Sequence, residues 1–264
     1  MTCSQKKKRV LQNLQQRKEP NMAETTTEVS SSIDALMQEY NIITHNLANV
    51  STAGYKRICN AFSKSLEAQQ AGEETYSPGI IDLNSALDFS QGNIVETGRP
   101  LDLAFYGKGF FVIETPDGPL YTRHGIFHIN QNGQIVDSDG RLVAGQAGPI
   151  TIPSGATLSQ LNVSNDGSIS IGGTTIGKFR LVDFQENENK LVPAGANCYQ
   201  MSENIEPIAA ENIVVKQGYQ EASNVKIVDE LVDLILVSRL YEANMKLLSS
   251  QQEISSSIIN VAMG

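Results

Sequence analysis

Residues 29–50 read VSSSIDALMQEYNIITHNLANV, and their apolar side chains recur with the period of a helix. Successive apolar positions are separated alternately by four and three residues, which is typical of a helix that packs along another helix. Serines near the start offer N-terminal caps, and Gly54 is a candidate C-terminal cap. We therefore predict a helix with one apolar stripe. The stripe comprises Val29, Ile33, Leu36, Tyr40, Ile43, Leu47 and Val50.

The other end of the chain repeats this pattern over a longer stretch. No Gly or Pro occurs between Tyr219 and Met263, and a series of ten positions again follows spacings of three and four. Seven of the ten are apolar, and the polar ones weaken the distal half. A helix over residues 225–261 would be roughly 55 Å long, which favours a coiled coil. The series is Leu231, Leu234, Ser238, Tyr241, Met245, Leu248, Gln252, Ser255, Ile259 and Ala262.

The middle of the chain has a different pattern, in which turn-forming dipeptides separate short β-rich runs. Alternation of apolar and polar residues is clear in residues 126–129 and 168–171. The dipeptides supply the positive φ angles that tight hairpins require. They are Asp117-Gly118, Asn132-Gly133, Asp139-Gly140, Asp166-Gly167 and Gly172-Gly173.

Together these patterns predict an α+β fold, in which long N- and C-terminal helices pair with each other as a coiled coil and an all-β, hairpin-rich central domain lies at their side. A lone pair of helices buries little surface, so we expect further helices from other subunits to cover the stripes. The predicted segments are a basic, polar, disordered lead (1–28), an N-terminal helix (29–54), a connector (55–91), a β-rich domain (92–216) and a C-terminal helix (217–264).

Charge and length exclude several classes of partner. The chain has 264 residues, a net charge of -9 and a pI near 4.9. Such acidity repels nucleic-acid phosphates and anionic lipids, so we expect neither as a general partner. No stretch approaches the roughly 20 apolar residues of a membrane span, so membrane insertion is not expected.

The first 21 residues differ from the rest, because six Lys or Arg stand against Glu19 alone, a net charge of 6 - 1 = +5. They lack the apolar core of a secretory signal. We expect a solvated, disordered lead, with a nucleic-acid-binding tail as the alternative. Met1 and Met22 are both candidate translation starts.

Candidate chemical sites are few. His124 and His128 fall in a predicted strand, where four residues span about 13 Å, too far for both to hold one metal ion. The turn over residues 137–140 (DSDG) lacks the downstream carboxylate of a calcium loop. Asp229 and Glu230 are adjacent on a helix and point apart, so both are interpreted as solvent-facing. With no evident nucleophile–base set, metal site or cofactor motif, we expect a non-enzyme without a cofactor.

Four segments resemble a known family. Residues 44–57 (THNLANVSTAGYKR) resemble the signature of bacterial flagellar rod and hook proteins, in which an Asn-Leu-Ala-Asn helix end precedes Thr-x-Gly and an aromatic residue. The resemblance continues in GNIVETGRPLDLA (92–104), YTRHG (121–125) and QGYQEASNV (217–225). It covers most of residues 29–264 and identifies the chain as a member of the flagellar basal-body rod protein family. The proximal-rod members are the most similar, and the distal-rod members come next.

The resemblance implies a structural subunit of the periplasm-spanning rod of the flagellar basal body. It implies that the terminal helices build the axial tube, which transmits torque and conducts exported proteins, while the β domain forms an outer layer. The implied partners are other rod subunits, further copies of the chain and the flagellar type III export apparatus. The implied export proceeds without a cleaved signal peptide.

The candidate assembly residues lie on the two helical stripes and at the end of the first helix. Asn46, Asn49 and Gly54 are the leading candidates, because they shape the helix end; a plain C-terminal cap is an equally good explanation of them. The full set is Leu36, Tyr40, Ile43, Asn46, Leu47, Asn49, Val50, Gly54, Leu231, Leu234, Tyr241, Met245, Leu248 and Ile259.

Three alternatives stay open at this point. The chain is either a proximal-rod or a distal-rod subunit, or it is a secreted β-rich adhesion or carbohydrate-binding module with a helical stalk. The module would require an aromatic platform, yet Trp is absent. An enzyme with a split site would require clustered polar residues that the sequence does not show.

Overall fold

The computed structural model describes residues 22–60, 85–202, 205–210 and 213–263. The predicted disordered lead therefore lies outside the described residues as far as residue 21, and its last seven residues belong to a helix. Residues 61–84 of the predicted connector also lie outside the described part of the chain.

Two α-helices flank the strands in the described part of the chain. Helix α1 (Met22–Ala48) ends where Asn49 donates its side-chain amide to the carbonyl oxygen of His45 at 2.9 Å, which satisfies one of the orphan carbonyls of the last turn. Helix α2 (Ile227–Met263) carries Asp229 and Glu230 in its first turn, where negative charge offsets the helix dipole. At 37 residues it is roughly 55 Å long.

Among the described residues, nineteen short strands make up the rest of the regular structure, together with two 3₁₀ helices at Leu158–Gln160 and Gln185–Lys190. The strands are β1 (Ile58–Asn60), β2 (Ser85–Leu87), β3 (Ile94–Glu96), β4 (Leu103–Tyr106), β5 (Phe110–Thr115), β6 (Gly118–Thr122), β7 (His128–Ile129), β8 (Ile135–Val136), β9 (Leu142–Gly145), β10 (Gly148–Pro149), β11 (Leu161–Val163), β12 (Ser168–Ile171), β13 (Thr174–Lys178), β14 (Leu181–Asp183), β15 (Leu191–Gly195), β16 (Cys198–Met201), β17 (Ile208–Ala209), β18 (Val214–Gln217) and β19 (Tyr219–Glu221).

The strands pair in antiparallel fashion. A ten-stranded sheet runs in the order β15-β16-β6-β5-β9-β8-β7, with β10, β14 and β17 attached at its side, and β11-β12-β13 form a smaller sheet. There are also three two-stranded ribbons, β1-β2, β3-β19 and β4-β18, of which the last two join early strands to late ones. The last two ribbons bring residues 214–221 back beside residues 94–106. We call strands β3–β19 the β body.

Strand β5 shows how the core of the β body is built. Successive side chains of a strand point to opposite faces, and here both faces are covered. Phe111 and Ile113 belong to one apolar cluster with Phe127 and Phe179, whereas Phe110 and Val112 belong to a second cluster on the other side. A central strand buried on both faces reads as a continuous apolar run, which is how FFVI appears in the sequence.

The predicted α+β fold organised by paired terminal helices is wrong. The protein is mostly β, its described residues contain two α-helices, and no coiled-coil pairing of α1 with α2 is found among them. Tyr40, Leu231 and Met245, which the prediction placed in the seam, are exposed. The physical reason is that a heptad pattern encodes an apolar face but does not encode its partner.

Residues 42–231 form one compact unit. This unit contains the β body, the last turns of α1 and the first turn of α2. Ile43, near the end of α1, is fully buried within it.

Candidate functional site

The segment that follows helix α1 carries polar side chains into the interior of the compact unit. Most of these side chains meet one of two buried glutamates, Glu221 at the end of β19 and Glu230 in the first turn of α2. We call the seven residues of this network the polar joint. They are Asn46, Tyr55, Lys56, Arg57, Arg123, Glu221 and Glu230.

Asn46 uses every hydrogen-bonding group of its side chain. Its Nδ2 donates to the Ile58 carbonyl oxygen at 2.9 Å and to Glu230 Oε2 at 3.2 Å. Its Oδ1 accepts from the Ile58 N–H at 2.9 Å and from the Tyr55 hydroxyl at 3.0 Å. A buried asparagine side chain with two donors and two filled acceptor positions is fully satisfied. Asn46 therefore fastens the helix end to both the following turn and helix α2.

Two side chains from the N-terminal part of the chain donate hydrogen bonds to the Glu230 carboxylate. Arg57 donates Nε to its Oε1, and Asn46 donates to its Oε2. Charge-assisted hydrogen bonds of this kind are about twice as strong as neutral ones. The Arg57 main chain is also held, because its N–H donates to Asn224 Oδ1 at 2.7 Å.

Glu221 forms the second centre of the joint. Its Oε1 accepts from Lys56 Nζ at 2.7 Å and from the Gly92 N–H at 2.9 Å, and its Oε2 lies 3.4 Å from Arg123 Nη1. Arg123 also donates to the Gly107 carbonyl oxygen at 2.7 Å. Its guanidinium lies over two aromatic rings of the body, with centroids 5.6 and 5.2 Å away, so its planar faces are covered as well.

The joint places three cations beside two carboxylates. All five charged side chains are buried except that of Arg57, which is partly exposed. Removing one partner of such a pair leaves an uncompensated buried charge. Burial lowers the pKa of the Lys56 ammonium below 10.5, against the attraction of Glu221. Burial, with Glu230 nearby, raises the pKa of Tyr55 from 10.0 to about 12. The arrangement is a structural fastening rather than an acid–base centre.

Gly54 allows the turn before the joint to pack backbone against backbone. Its φ is +67°, its N–H donates to the Glu221 carbonyl oxygen at 2.7 Å, and an added Cβ would lie 2.6 Å from the His124 nitrogen. Gly54 thus has the left-handed conformation that the sequence suggested, but it lies beyond the turn that ends α1 and serves the contact with β19.

The predicted assembly residues fall into three groups by exposure. Ile43, Asn46 and Gly54 are buried; Tyr40, Leu231 and Met245 are exposed; and Leu36, Leu47, Asn49, Val50, Leu234, Tyr241 and Leu248 are intermediate. The side chain of Ile259 lies outside those that the structure describes. Of the predicted residues, Asn46 is the one that belongs to the polar joint.

Sequence reasoning missed most of the joint. The interpretation of residues 229 and 230 as solvent-facing fits Asp229 but is wrong for Glu230, whose side chain is fully buried. Glu221, Arg123 and Lys56 were not singled out either. The available signal was the run Tyr55-Lys56-Arg57, in which two cations follow a buried helix end and require acceptors.

In the turn over residues 137–140, the carboxylate of Asp137 binds Arg141. Asp137 accepts hydrogen bonds from the N–H groups of Asp139 and Arg141 and from Arg141 Nε, at 3.0, 2.8 and 2.7 Å. Burial lowers the pKa of nearby His124. The described part of the chain contains no group of three or more His, Cys, Asp or Glu side chains that could hold a metal ion.

Helix α2 exposes an unusual amount of apolar surface. Its apolar side chains are 42–71% exposed at ten positions, whereas those of the β-body core are at most 9% exposed. Residues on a helix surface at spacings of three and four lie on one side, and several of the ten follow that spacing. They are Ile227, Val228, Leu231, Val232, Ile235, Leu236, Leu240, Met245, Leu247 and Ile254. No helix among the described residues is long and apolar enough to cross a membrane.

Comparison with known proteins finds matches to part of the β body and to most of helix α2. A family profile described as "Flagellar hook protein FlgE/F/G D1 domain" matches residues 104–171, and one described as "Flagellar basal body rod FlgEFG protein C-terminal" matches residues 216–261. The flagellar basal-body rod protein FlgG of Buchnera aphidicola is 34% identical over 249 residues, covering 84% of this chain and 94% of the relative. The chain belongs to the flagellar basal-body rod protein family.

Other rod proteins match over similar lengths. FlgG of Bacillus subtilis is 32% identical over 256 residues, covering 88% of this chain and 96% of its own length. FlgF of Caulobacter vibrioides is 32% identical over 228 residues, covering 85% and 91%. The family assignment replaces the adhesion-module and split-site alternatives, and it makes the chain a structural rod subunit of the flagellar basal body. Because FlgG and FlgF relatives match at similar identity, the proximal-rod position stays a prediction.

Proposed function

We propose that the chain is a non-catalytic building block of the flagellar rod that joins neighbouring subunits through the exposed apolar side chains of helix α2. The single observation that carries this proposal is the exposure of ten apolar side chains on one helix. Isolated exposed apolar residues are ordinary, but a contiguous set marks a surface that another protein covers.

The proposed partners are other rod subunits and further copies of this chain. An apolar helical face is covered best by another apolar helical face, and family members carry a matching C-terminal segment. Covering one of these side chains yields roughly 1–2 kcal/mol, so several together favour addition of a subunit. Nucleic acid and membrane insertion form no part of the proposal, since the net charge is -9 and the described helices are too polar to span a bilayer.

Two finer points belong to the same proposal. The subunit takes the proximal-rod position, and it reaches the periplasm-spanning rod through the flagellar type III export apparatus without a cleaved signal peptide. The position is supported by the resemblance of residues 148–153 and 176–184 to proximal-rod proteins, and the export route by that of residues 44–57 and 217–225 to rod proteins. Localising tagged chain in isolated basal bodies, relative to FlgG and FlgF of the same cell, tests the position.

The exposed face itself is tested by Leu236→Asp in a strain that lacks the native gene. Leu236 is exposed, so the aspartate leaves the β body intact, but a charge on the covered face of an assembled subunit is unpaired. We expect the variant to be absent from purified basal bodies and motility not to be restored. Ser249→Asp, which adds the same charge at another exposed position of the helix, is expected to restore both.

Two outcomes would contradict the proposal. If Leu236→Asp enters basal bodies as efficiently as Ser249→Asp does, this face is not used in assembly. Loss of the native circular dichroism of the β body in purified Leu236→Asp would show that the side chain supports the fold of the free subunit instead.

A further inference from the structure

Two neighbouring carboxylates in the first turn of helix α2 have different environments. Asp229 is 66% exposed and lies 4.0 Å from Lys226, whereas the Glu230 side chain is 0% exposed. Both occupy the first turn and interact with the same end of the helix dipole. Any difference between them therefore comes from what Glu230 contacts.

The groups that Glu230 contacts are themselves held in place. Asn46 is fixed by three further hydrogen bonds besides the one to Glu230, two of them to the main chain of Ile58. Arg57 is fixed through its N–H by Asn224, and the Asn224 side chain also donates to the Asp88 carbonyl oxygen at 2.8 Å. The Glu230 carboxylate is thus bound to a rigid framework of the compact unit.

The main chain of Glu230 also starts the helix. Its N–H donates to the carbonyl oxygen of Lys226 at 3.1 Å, which is the first bond of the helical pattern. Forming the first turn is the unfavourable step of helix formation, because several dihedral angles are fixed for one hydrogen bond, while later residues add at little cost. A residue that holds this turn from its side chain removes much of that barrier.

We propose that Glu230 is a positioning residue for assembly, which holds the first turn of helix α2 formed in the free subunit through Asn46 and Arg57. The apolar residues that follow, from Leu231 onward, then extend a helix that is already started. The assembly part of this inference rests on the proposed function, and the anchoring part concerns the free subunit alone.

Hydrogen exchange of the full-length chain tests the anchoring part. Glu230→Gln keeps the shape of the side chain but removes its charge, and we expect backbone amides of residues 231–236 to exchange roughly tenfold faster or more. Asp229→Asn makes the same charge change one residue away, and we expect less than about a threefold effect. Amides of β5 and β6 should keep wild-type protection in both variants.

Incorporation into basal bodies tests the assembly part. We expect Glu230→Gln to incorporate less than Asp229→Asn, in proportion to its loss of protection near Leu231. Equal exchange in the two variants would overturn the inference, and so would faster exchange with normal incorporation. If wild type and Asp229→Asn both fail to enter basal bodies, the proposed function fails while the exchange result still decides the anchoring.

If Glu230→Gln unfolds the β body, a second variant tests the role of Glu230. Arg57 is partly exposed, so Arg57→Lys should keep the fold and the charge while losing the Nε donor to Glu230. We expect it to show faster exchange in residues 231–236 and reduced incorporation. Wild-type behaviour of Arg57→Lys in both measurements would overturn the inference.

Discussion

Strand β5 and the start of helix α2 are built from similar apolar residues but end in opposite environments. Phe110–Ile113 on β5 are at most 1% exposed, whereas Val228, Val232 and Ile235 on α2 are more than half exposed. Strand β5 has β6, β9 and β14 as hydrogen-bonded neighbours. The difference shows that apolar content alone does not tell whether a segment stabilises the free subunit or an assembly.

The polar joint lies between these two extremes. It is buried like β5, yet its contacts are ion pairs and hydrogen bonds. Such contacts are directional, so they fix where the helix ends meet the β body, whereas apolar burial mainly supplies stability. The three regions therefore predict different responses to substitution.

The largest difference in the free energy of unfolding is expected between Phe111→Ala and Leu236→Ala. Phe111 is fully buried, and its ring contacts those of Phe105, Phe127 and Phe179 at centroid distances of 4.3, 5.0 and 5.8 Å. Its truncation should lower the free energy of unfolding by about 3–5 kcal/mol. Leu236→Ala should change it by less than about 0.5 kcal/mol in the free subunit. Urea unfolding followed by circular dichroism measures both, and similar losses would remove the distinction between the two regions.

A smaller difference in the free energy of unfolding is expected between Gly54→Ala and Gly98→Ala. Comparing the two separates the effect of backbone conformation from that of close packing at the edge of the joint. Gly54 and Gly98 have nearly the same φ, +67° and +70°, but an added Cβ meets backbone atoms at Gly54 and nothing within 4 Å at Gly98. Gly98→Ala should therefore lower the free energy of unfolding by about 1 kcal/mol. Gly54→Ala should lower it by about 1–3 kcal/mol more. Equal losses in thermal or urea unfolding would mean that the turn moves aside to make room.

The smallest effect concerns the alkaline stability of the joint. The pKa of Tyr55 is raised from 10.0 to about 12, so the folded state binds its proton more tightly than the unfolded state does. Because proton binding is linked to folding, the Tyr55 hydroxyl stabilises the folded state fully below pH 10, and this contribution is lost as the pH rises through about 12. Tyr55→Phe should flatten that part of the pH profile of the free energy of unfolding. An unchanged alkaline slope, or a phenolate absorbance titration of Tyr55 near 10.0, would contradict the burial of its hydroxyl.

Several parts of the fold follow from local sequence. The hairpin between β12 and β13 turns at Gly172-Gly173, as the sequence pattern predicts. The hairpin between β5 and β6 turns at Pro116-Asp117, one residue before the predicted Asp117-Gly118, and Gly118 is the first residue of β6. A Gly with positive φ is a local requirement, so a dipeptide signals it directly. Helix α1 ends at Ala48, six residues before the predicted cap Gly54.

The candidate site was much less predictable. Asn46 is predicted from its place at the end of the first helix, but Glu221 and Glu230 lie 165 and 184 residues away from Lys56 and Asn46, their partners. Long-range pairs of this kind leave no periodic trace in one sequence. Glu230 has the same local surroundings as exposed Asp229, so no local rule separates the two.

By itself the sequence determined the helical stripes, the turns and the resemblance to flagellar rod proteins, because periodicity, glycine conformation and motif spacing are properties of neighbouring residues. Only the tertiary structure decided what covers each face. It left ten apolar residues of α2 exposed, closed β5 on both sides, and brought two distant glutamates to the end of α1. The physical reason is that apolar burial is non-directional, so a stripe states that a partner is needed, and only the folded chain shows whether that partner lies within it.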